Sequence, residues 1–525
     1  MKKVIQLALI LFSAAALRAE ITVWTRSYLV PMNPAETSPE KALTTAHLRV
    51  TPGEFEPAAF AVRADGAAQI TVEMSGIAAP GWLPADWCEL RQVKARTEAK
   101  PTIWLHEIEG PVSLEAGRTE FFWITVRTPA TAAAGTYRGV VYLQAVGQVR
   151  QVEIECEVLG FRLAESPIIG GMFMADVNLP PGWYEDMKAH GIDAVQYFWG
   201  YEARVVNAGG RLVMDLGRMD RFMKDLDAAG LAGPVIISLG NDYHLHYERR
   251  IAEEFGFPLT TGPDVGGKRV VGPEVTPQLD SLFVEGLRQI RDHWRDMGWP
   301  QELVVLIYDE PTERLLERAK NRYDLLKTVM PGTRVYGVVM DRREWAQSML
   351  DQMDIIVANG DFPAMKELAV QHGKDYWVYS GLQDAGRARF EKGCLPWQVG
   401  ASGAFSWMYN YYSYDPDGCM VLPDSADPGR ILRSIKWEAV REGKDDLRYF
   451  ATAERLIANS AGSAAAKAAE RLAALKNGLE LRGGRMRGGL PPDIMNHEDL
   501  LASFNKAEKV RAEVIDIIRE LLKIE

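Results

Sequence analysis

Cysteine is scarce in this chain, with four in 525 residues: Cys88, Cys156, Cys394 and Cys419. Their spacing matches no zinc knuckle, and four cannot build a dense disulfide scaffold. In an oxidising compartment Cys88–Cys156 and Cys394–Cys419 are the local pairings to expect, with four free or partly buried thiols as the alternative. Histidine is sparse too, with eight in the chain. His244 and His246 stand close together, but their spacing fits neither a helical zinc motif nor a clear strand pair, so no metal is expected. Positive charge is in deficit, with 60 Lys and Arg against 71 Asp and Glu, and no basic patch offsets it. That balance excludes nucleic acid and argues against an anionic membrane surface. There is no Gly-x-Ser-x-Gly elbow and Cys394 has no His partner in sequence, so nucleophilic acyl chemistry lacks its parts. Gly209-Gly210 and Gly266-Gly267 are turn signals, not phosphate cradles, and no cofactor is expected. Long apolar runs are missing beyond the first residues. There, Val4 to Leu17 follows Lys2 and Lys3 and precedes small residues, the pattern of a signal peptide cut after Ala19 or Ala16. No cysteine stands at either cut to take a lipid. The chain is therefore read as exported, to the periplasm or the medium, with no membrane span. Loss of Lys2, Lys3 and Arg18 takes the formal charge from −11 to −14.

What remains is an ordinary globular composition, 47% hydrophobic and 25% charged, long enough for two or three domains. From Ile21 to about Leu163 the pattern is all-β, with short strands such as Phe60–Arg63, Ile70–Met74, Phe122–Val126 and Val140–Leu143 between Gly and Pro turns. A β-sandwich follows from that. From Ile168 to about Ser460 short apolar strands alternate with helical patterns. The strands are expected at 169–174, 194–198, 235–239, 303–308, 335–340, 355–358, 376–379 and 404–409. Eight such units over roughly 290 residues predict a (β/α)8 TIM-type barrel. A doubly wound open sheet is the competitor, but no Gly-rich loop follows the first strand. The tail is helical, at 463–475 and 507–522, and reads as a small helical appendage on the barrel. The expected divisions are thus a signal peptide at 1–19, a sandwich at 20–163, a catalytic barrel at 164–460 and a C-terminal helical region at 461–525.

The most telling segment is Tyr308-Asp309-Glu310-Pro311, directly after the apolar run Leu303–Ile307. A buried strand delivers two adjacent carboxylates to its C-terminal end and stops at a proline. Like charges crowded at an apolar strand end raise the pKa of at least one member, which suits a proton donor near neutral pH. The bland alternative is a helix N-cap. In a barrel, however, that strand end lies on the face where barrel enzymes keep their active sites. Ordinary retaining glycosidases set two carboxyls about 5 Å apart. An adjacent pair suits a different division of labour, in which one carboxylate positions a substrate amide as internal nucleophile and the other protonates the leaving oxygen. Other strand ends supply sugar contacts: Trp199 after the second, Asp242, Tyr243 and His244 after the third, Tyr308 beside the acidic pair, and Trp407, Asn410 and Tyr412 in and after the eighth. Aromatic rings stack on sugar C–H faces, while Asn, Asp and His bind hydroxyls.

Three segments in order carry a family resemblance: Tyr308–Pro311, then Gly400–Tyr411 (GASGAFSWMYNY), then Trp437–Tyr449 (WEAVREGKDDLRY). With Pro52–Pro57 and Gly135–Tyr137 they resemble glycoside hydrolase family 123 and the related exported proteins of domain-of-unknown-function family 4091. The resemblance spans about residues 21 to 460. It implies a retaining, substrate-assisted β-N-acetylgalactosaminidase with a sandwich, a barrel and no metal, acting on glycans or glycolipids. Under it Glu310 is the general acid/base, Asp309 orients the acetamido group, Trp407 stacks in the sugar pocket and Asn410 lies near a hydroxyl. Arg441 and Glu442 are expected to pair, buried, beneath the site. The family's usual second tryptophan is replaced here by Tyr412. Two other readings stay open: a glycosidase for a sugar without the acetamido group, with a partner such as Asp242, and a non-catalytic carbohydrate-binding envelope protein.

Overall fold

The computed structural model describes residues 19–76, 79–97, 100–198, 203–240, 245–261, 271–311, 313–338, 343–360, 362–381, 384–412, 415–425, 427, 429–479 and 497–523. The expected leader lies outside them save for Ala19, as do Trp199, Asp242, Tyr243 and His244. The chain divides into two compact units, Met1–Leu163 and Ala164–Glu525.

The first unit is a β-sandwich. One five-stranded sheet runs in the order Ile21–Arg26, Phe55–Ala64, Thr119–Arg127, Cys88–Thr97, Lys100–His106; the other runs Thr45–Val50, Gln148–Val158, Gly135–Ala145, Ala68–Met74, Val112–Leu114. Alternating residues of both sheets meet in one core, where Phe60 stacks on Phe122 with centroids 5.0 Å apart. All four cysteines are free thiols, so neither expected disulfide is present. Cys88 and Cys156 stand on opposite sheets, and burial pushes each thiol up to about 12.

The second unit carries the expected barrel. Eight parallel strands close in sequence order: Ile169–Met174, Ala194–Phe198, Val235–Ser238, Leu303–Leu306, Arg334–Val338, Ile355–Ala358, Asp375–Gly381 and Gly403–Trp407. They are short because each is covered on both faces, inside by side chains from the other strands and outside by the helices. Ile236, Val304, Leu306, Tyr336, Val357, Trp377 and Phe405 fill the interior. Gly171 has no alternative there, since a Cβ would sit 2.2 Å from the Phe405 ring.

The ring closes between the first and eighth strands, which pair at Ile169↔Gly403 and Gly170↔Ala404. Beside that pairing Lys392, on helix Ala385–Lys392, is fully buried and donates from Nζ to Gly171 O (2.8 Å) and Ala404 O (2.7 Å). Burial, with Lys444 nearby, holds its ammonium well below the usual lysine range. Helix Ile435–Ala458 follows the eighth strand, opened by Ser434, whose Oγ accepts from Trp437 N at 3.2 Å. Among the described residues no helix is long and apolar enough to cross a membrane.

The tail is tied in by charge as well as by packing. Arg511, on helix His497–Leu522, donates to Glu442 Oε2 (2.9 Å), to Glu442 O (2.6 Å) and to Asp446. Arg389 donates to Asp446 at 2.9 and 3.1 Å. The expected Arg441–Glu442 pair is present as a buried ion pair, with its closest charged atoms 3.9 Å apart, while Arg441 hydrogen-bonds to Glu438 one helical turn back. Both glutamates are buried, so each takes the guanidinium that reaches it with full hydrogen-bond geometry.

Candidate active site

The fourth barrel strand is buried throughout, and Ile307 and Tyr308 remain buried as the chain leaves it. Asp309 N then donates to Gly240 O at 2.9 Å, tying the strand end to the segment after the third strand. At Glu310 the backbone enters the left-handed region, φ +47°, and Pro311 follows. A side chain with a Cβ rarely sits there, at a cost of about 1–2 kcal/mol. The turn answers a geometric problem. On a continuing strand consecutive side chains face opposite ways, but here the strand has ended at Leu306 and that alternation no longer applies to Asp309 and Glu310. Both groups are partly exposed while the residues before them are buried.

Their surroundings come from neighbouring strand ends. Asn359, the first residue after the sixth strand, donates from Nδ2 to Glu310 Oε1 at 2.6 Å. Tyr379, on the seventh strand, is partly exposed. Its hydroxyl is held well above the usual tyrosine range, first by burial and then by the charges of Asp309, Tyr336 and Glu310. A phenol that feels both carboxylates places the two in one neighbourhood, and it stays a donor at any working pH. Tyr336 is fully buried with its hydroxyl raised by burial and by Asp309, and that hydroxyl has no hydrogen-bond partner among the described residues. Tyr323 stands close too, donating to Tyr336 O at 3.2 Å.

A wall of aromatic rings lines the eighth-strand side of the mouth. Trp407 stacks on Phe173 of the first strand, centroids 4.4 Å apart and 22° between planes, and meets Tyr411 edge-on at 5.9 Å. Trp407, Tyr411 and Tyr412 are partly exposed and pack over buried Phe173, Ala175, Met408 and Cys419. Burial and then the nearby Asp176 carboxylate push the Tyr412 hydroxyl up to about 12. The Trp407–Met408 peptide is cis.

Two expected sugar contacts turn inward instead. Asn410 is 1% exposed, and its carboxamide is spent on backbone: Oδ1 accepts from Ala175 N (2.9 Å) and Asp176 N (3.4 Å), and Nδ2 donates to Asp176 O (2.8 Å). It clamps the end of the first strand to the end of the eighth. Tyr308 is 2% exposed and donates to Glu248, itself buried on helix His246–Phe255. Burial pushes the Glu248 carboxyl up, but Arg318 and Arg322 outweigh it and hold the group below its ordinary range. Arg318 reaches it at 3.0 Å, and Arg322 also bonds Asp280 at 2.6 Å. Tyr308 thus anchors the strand end to this buried ionic cluster.

Asn359, Tyr379, Tyr336, Phe173 and Asp176 did not emerge from the sequence. The rule that picked out the other strand ends would have caught Asn359 and Asp176, which stand at or just past the ends of the sixth and first strands.

Compared with known proteins, the chain matches no family model and no curated protein. Among solved structures it superposes on a family 123 glycoside hydrolase from Clostridium perfringens, studied for glycolipid glycan hydrolysis. The TM-score is 0.72 at 12% identity, over 96% of this chain and 100% of that one. This shows a shared fold across both units' sequence span. An endo-β-1,4-mannanase from Thermotoga petrophila aligns over 54% of this chain and 77% of its own, with TM-score 0.38 and 13% identity.

Proposed function

We propose that this chain is an exported glycosidase that removes a terminal β-linked 2-acetamido sugar, N-acetylgalactosamine, from glycans or glycolipids with retention of configuration. The observation that carries the reading is the adjacent pair Asp309 and Glu310 just past the fourth strand's end, with left-handed backbone at Glu310 and Asn359 donating to its carboxylate. The fold shared with a family 123 glycoside hydrolase supports it.

In this reading Asp309 accepts the acetamido N–H, which makes the carbonyl oxygen a better nucleophile. That oxygen attacks C1 as Glu310 donates its proton to the departing glycosidic oxygen. The bond forms and the C1–O bond breaks on opposite faces, giving an oxazolinium ring. Tyr379, whose hydroxyl feels both carboxylates, donates in this reading to the same amide or to Asp309. Glu310, now ionised, takes a proton from water as that water opens the ring at C1, so two inversions give net retention. Trp407 supplies the face on which the sugar stacks. Residues 1–19 are removed on export, and the mature chain then begins at Glu20.

The test is a panel of aryl glycosides with and without the 2-acetamido group. Hydrolysis restricted to the acetamido sugars, and inhibition by a thiazoline mimic of the oxazoline, are expected. Glu310→Gln should abolish release of poor leaving groups and partly spare activated aryl ones, while Asp309→Asn should damage only the acetamido-dependent step. Equal rates on plain galactosides, or no thiazoline inhibition of an active preparation, overturn the mechanism. Glycan binding without turnover, unchanged in Glu310→Gln, overturns the enzyme reading altogether.

A further inference from the structure

The acidic pair is not the only carboxylate on this mouth. Asp176 lies two residues past the first strand and is partly exposed between buried neighbours Ala175 and Val177. Its main chain is held at every point where a loop would ordinarily give. Asn410 takes its N–H and donates to its C=O, and Tyr184 donates to Val177 O at 2.5 Å. The side chain is held as well, through Oδ1, which accepts from Asn178 N at 2.8 Å. Oδ2 has no hydrogen-bond partner and no cation pairs with Asp176 among the described residues. The carboxylate acts on the hydroxyl of Tyr412, which belongs to the wall that carries Trp407.

A fixed acceptor, uncompensated by a cation among the described residues and close to Tyr412 on the wall that carries Trp407, suits a neutral ligand rich in hydroxyl donors. The barrel's ring order says which hydroxyls. In a closed ring of eight the fourth and eighth strands are opposite, and the first adjoins the eighth. A pyranose whose anomeric carbon lies at the fourth-strand carboxylates extends its far edge, C4 with C6, toward the eighth and first strands.

Resting on the glycosidase reading above, we propose that Asp176 is a specificity-determining residue that accepts a hydrogen bond from the C4 or C6 hydroxyl of the sugar stacked on Trp407. Asn410 is then a positioning residue that acts through it.

Asp176→Asn keeps the shape and loses the charge. Asp176→Ser keeps an acceptor for the Asn178 N–H should the first variant fold poorly, with thermal melting as the check on both. On an activated aryl N-acetylgalactosaminide, kcat/KM should fall about 10- to 100-fold, chiefly through KM, the range for one hydrogen bond to a charged group. Wild type should lose a similar factor on the 4-deoxy or the 6-deoxy substrate, and the variant should lose nothing further on that same substrate. A folded variant within twofold of wild type, or losses that multiply independently, overturns the assignment while leaving the enzyme reading intact. If wild type turns over no glycoside, the enzyme reading fails, and saturation-transfer NMR with free N-acetylgalactosamine still decides this one. Binding abolished in the variant upholds it, and no binding to wild type overturns it.

Discussion

Replacing Glu310 by glycine and, separately, by alanine isolates the backbone at the turn. Both variants lose the carboxylate, the 2.6 Å hydrogen bond from Asn359 and the crowding against Asp309, so those contributions cancel between them. What differs is the cost of holding φ at +47°. An L-residue there costs about 1–2 kcal/mol that glycine does not. Glycine in turn costs about 0.5–1 kcal/mol through the larger freedom of its unfolded chain. Glycine should therefore be the more stable of the two by about 0.5–1 kcal/mol, the reverse of their order in ordinary backbone. In a unit of this size that is a melting difference of about 1–3 °C, within reach of scanning calorimetry at one fixed scan rate. An alanine variant as stable as glycine, or more so, means Glu310 does not occupy the left-handed region and removes the geometric basis for two adjacent carboxylates on one mouth.

Asn359→Ala tests the support of the proposed acid. A neutral donor favours the ionised form of its acceptor, so deleting it lets Glu310 keep its proton to higher pH. The basic limb of kcat/KM should move upward, with kcat lowered at the optimum; a limb that moves downward refutes the role. Arg511→Ala should cost about 3–5 kcal/mol in chemical denaturation, because it strands the buried Glu442 carboxylate. A loss under about 1 kcal/mol means the tail contributes little to the barrel.

The barrel was readable because its signal is local. Short runs such as Ile355–Ala358 are apolar at every position, and only strands covered on both faces look like that. The acidic pair was readable for the same reason, as an abrupt polar end to such a run. Reading failed where side-chain direction depends on what the backbone does after the strand. Asn410 lies three residues past Trp407, where the two-residue alternation no longer applies, and it turns inward to the first strand 234 and 235 residues earlier. The sequence pattern runs the strand on to Tyr308, yet the strand ends at Leu306, and the Tyr308 hydroxyl donates to Glu248 beyond it. The ion pair of Glu442 with its neighbour Arg441 was legible, but its hydrogen-bond partner was not, since Arg511 is 69 residues away and nothing in either segment encodes the meeting.

The latch at Lys392 bears on the order in which the pocket comes into being. It joins carbonyls on segments that lie 221 residues and 12 residues from it, so the last gap can shut only after nearly the whole ring has been threaded. Trp407 and Asp176 flank that gap, while Asp309 and Glu310 sit across from it on an arc that neighbouring strands can assemble early. A nascent or partly opened chain would hold its acidic pair without the aromatic wall opposite, and only the finished circle brings the two halves face to face.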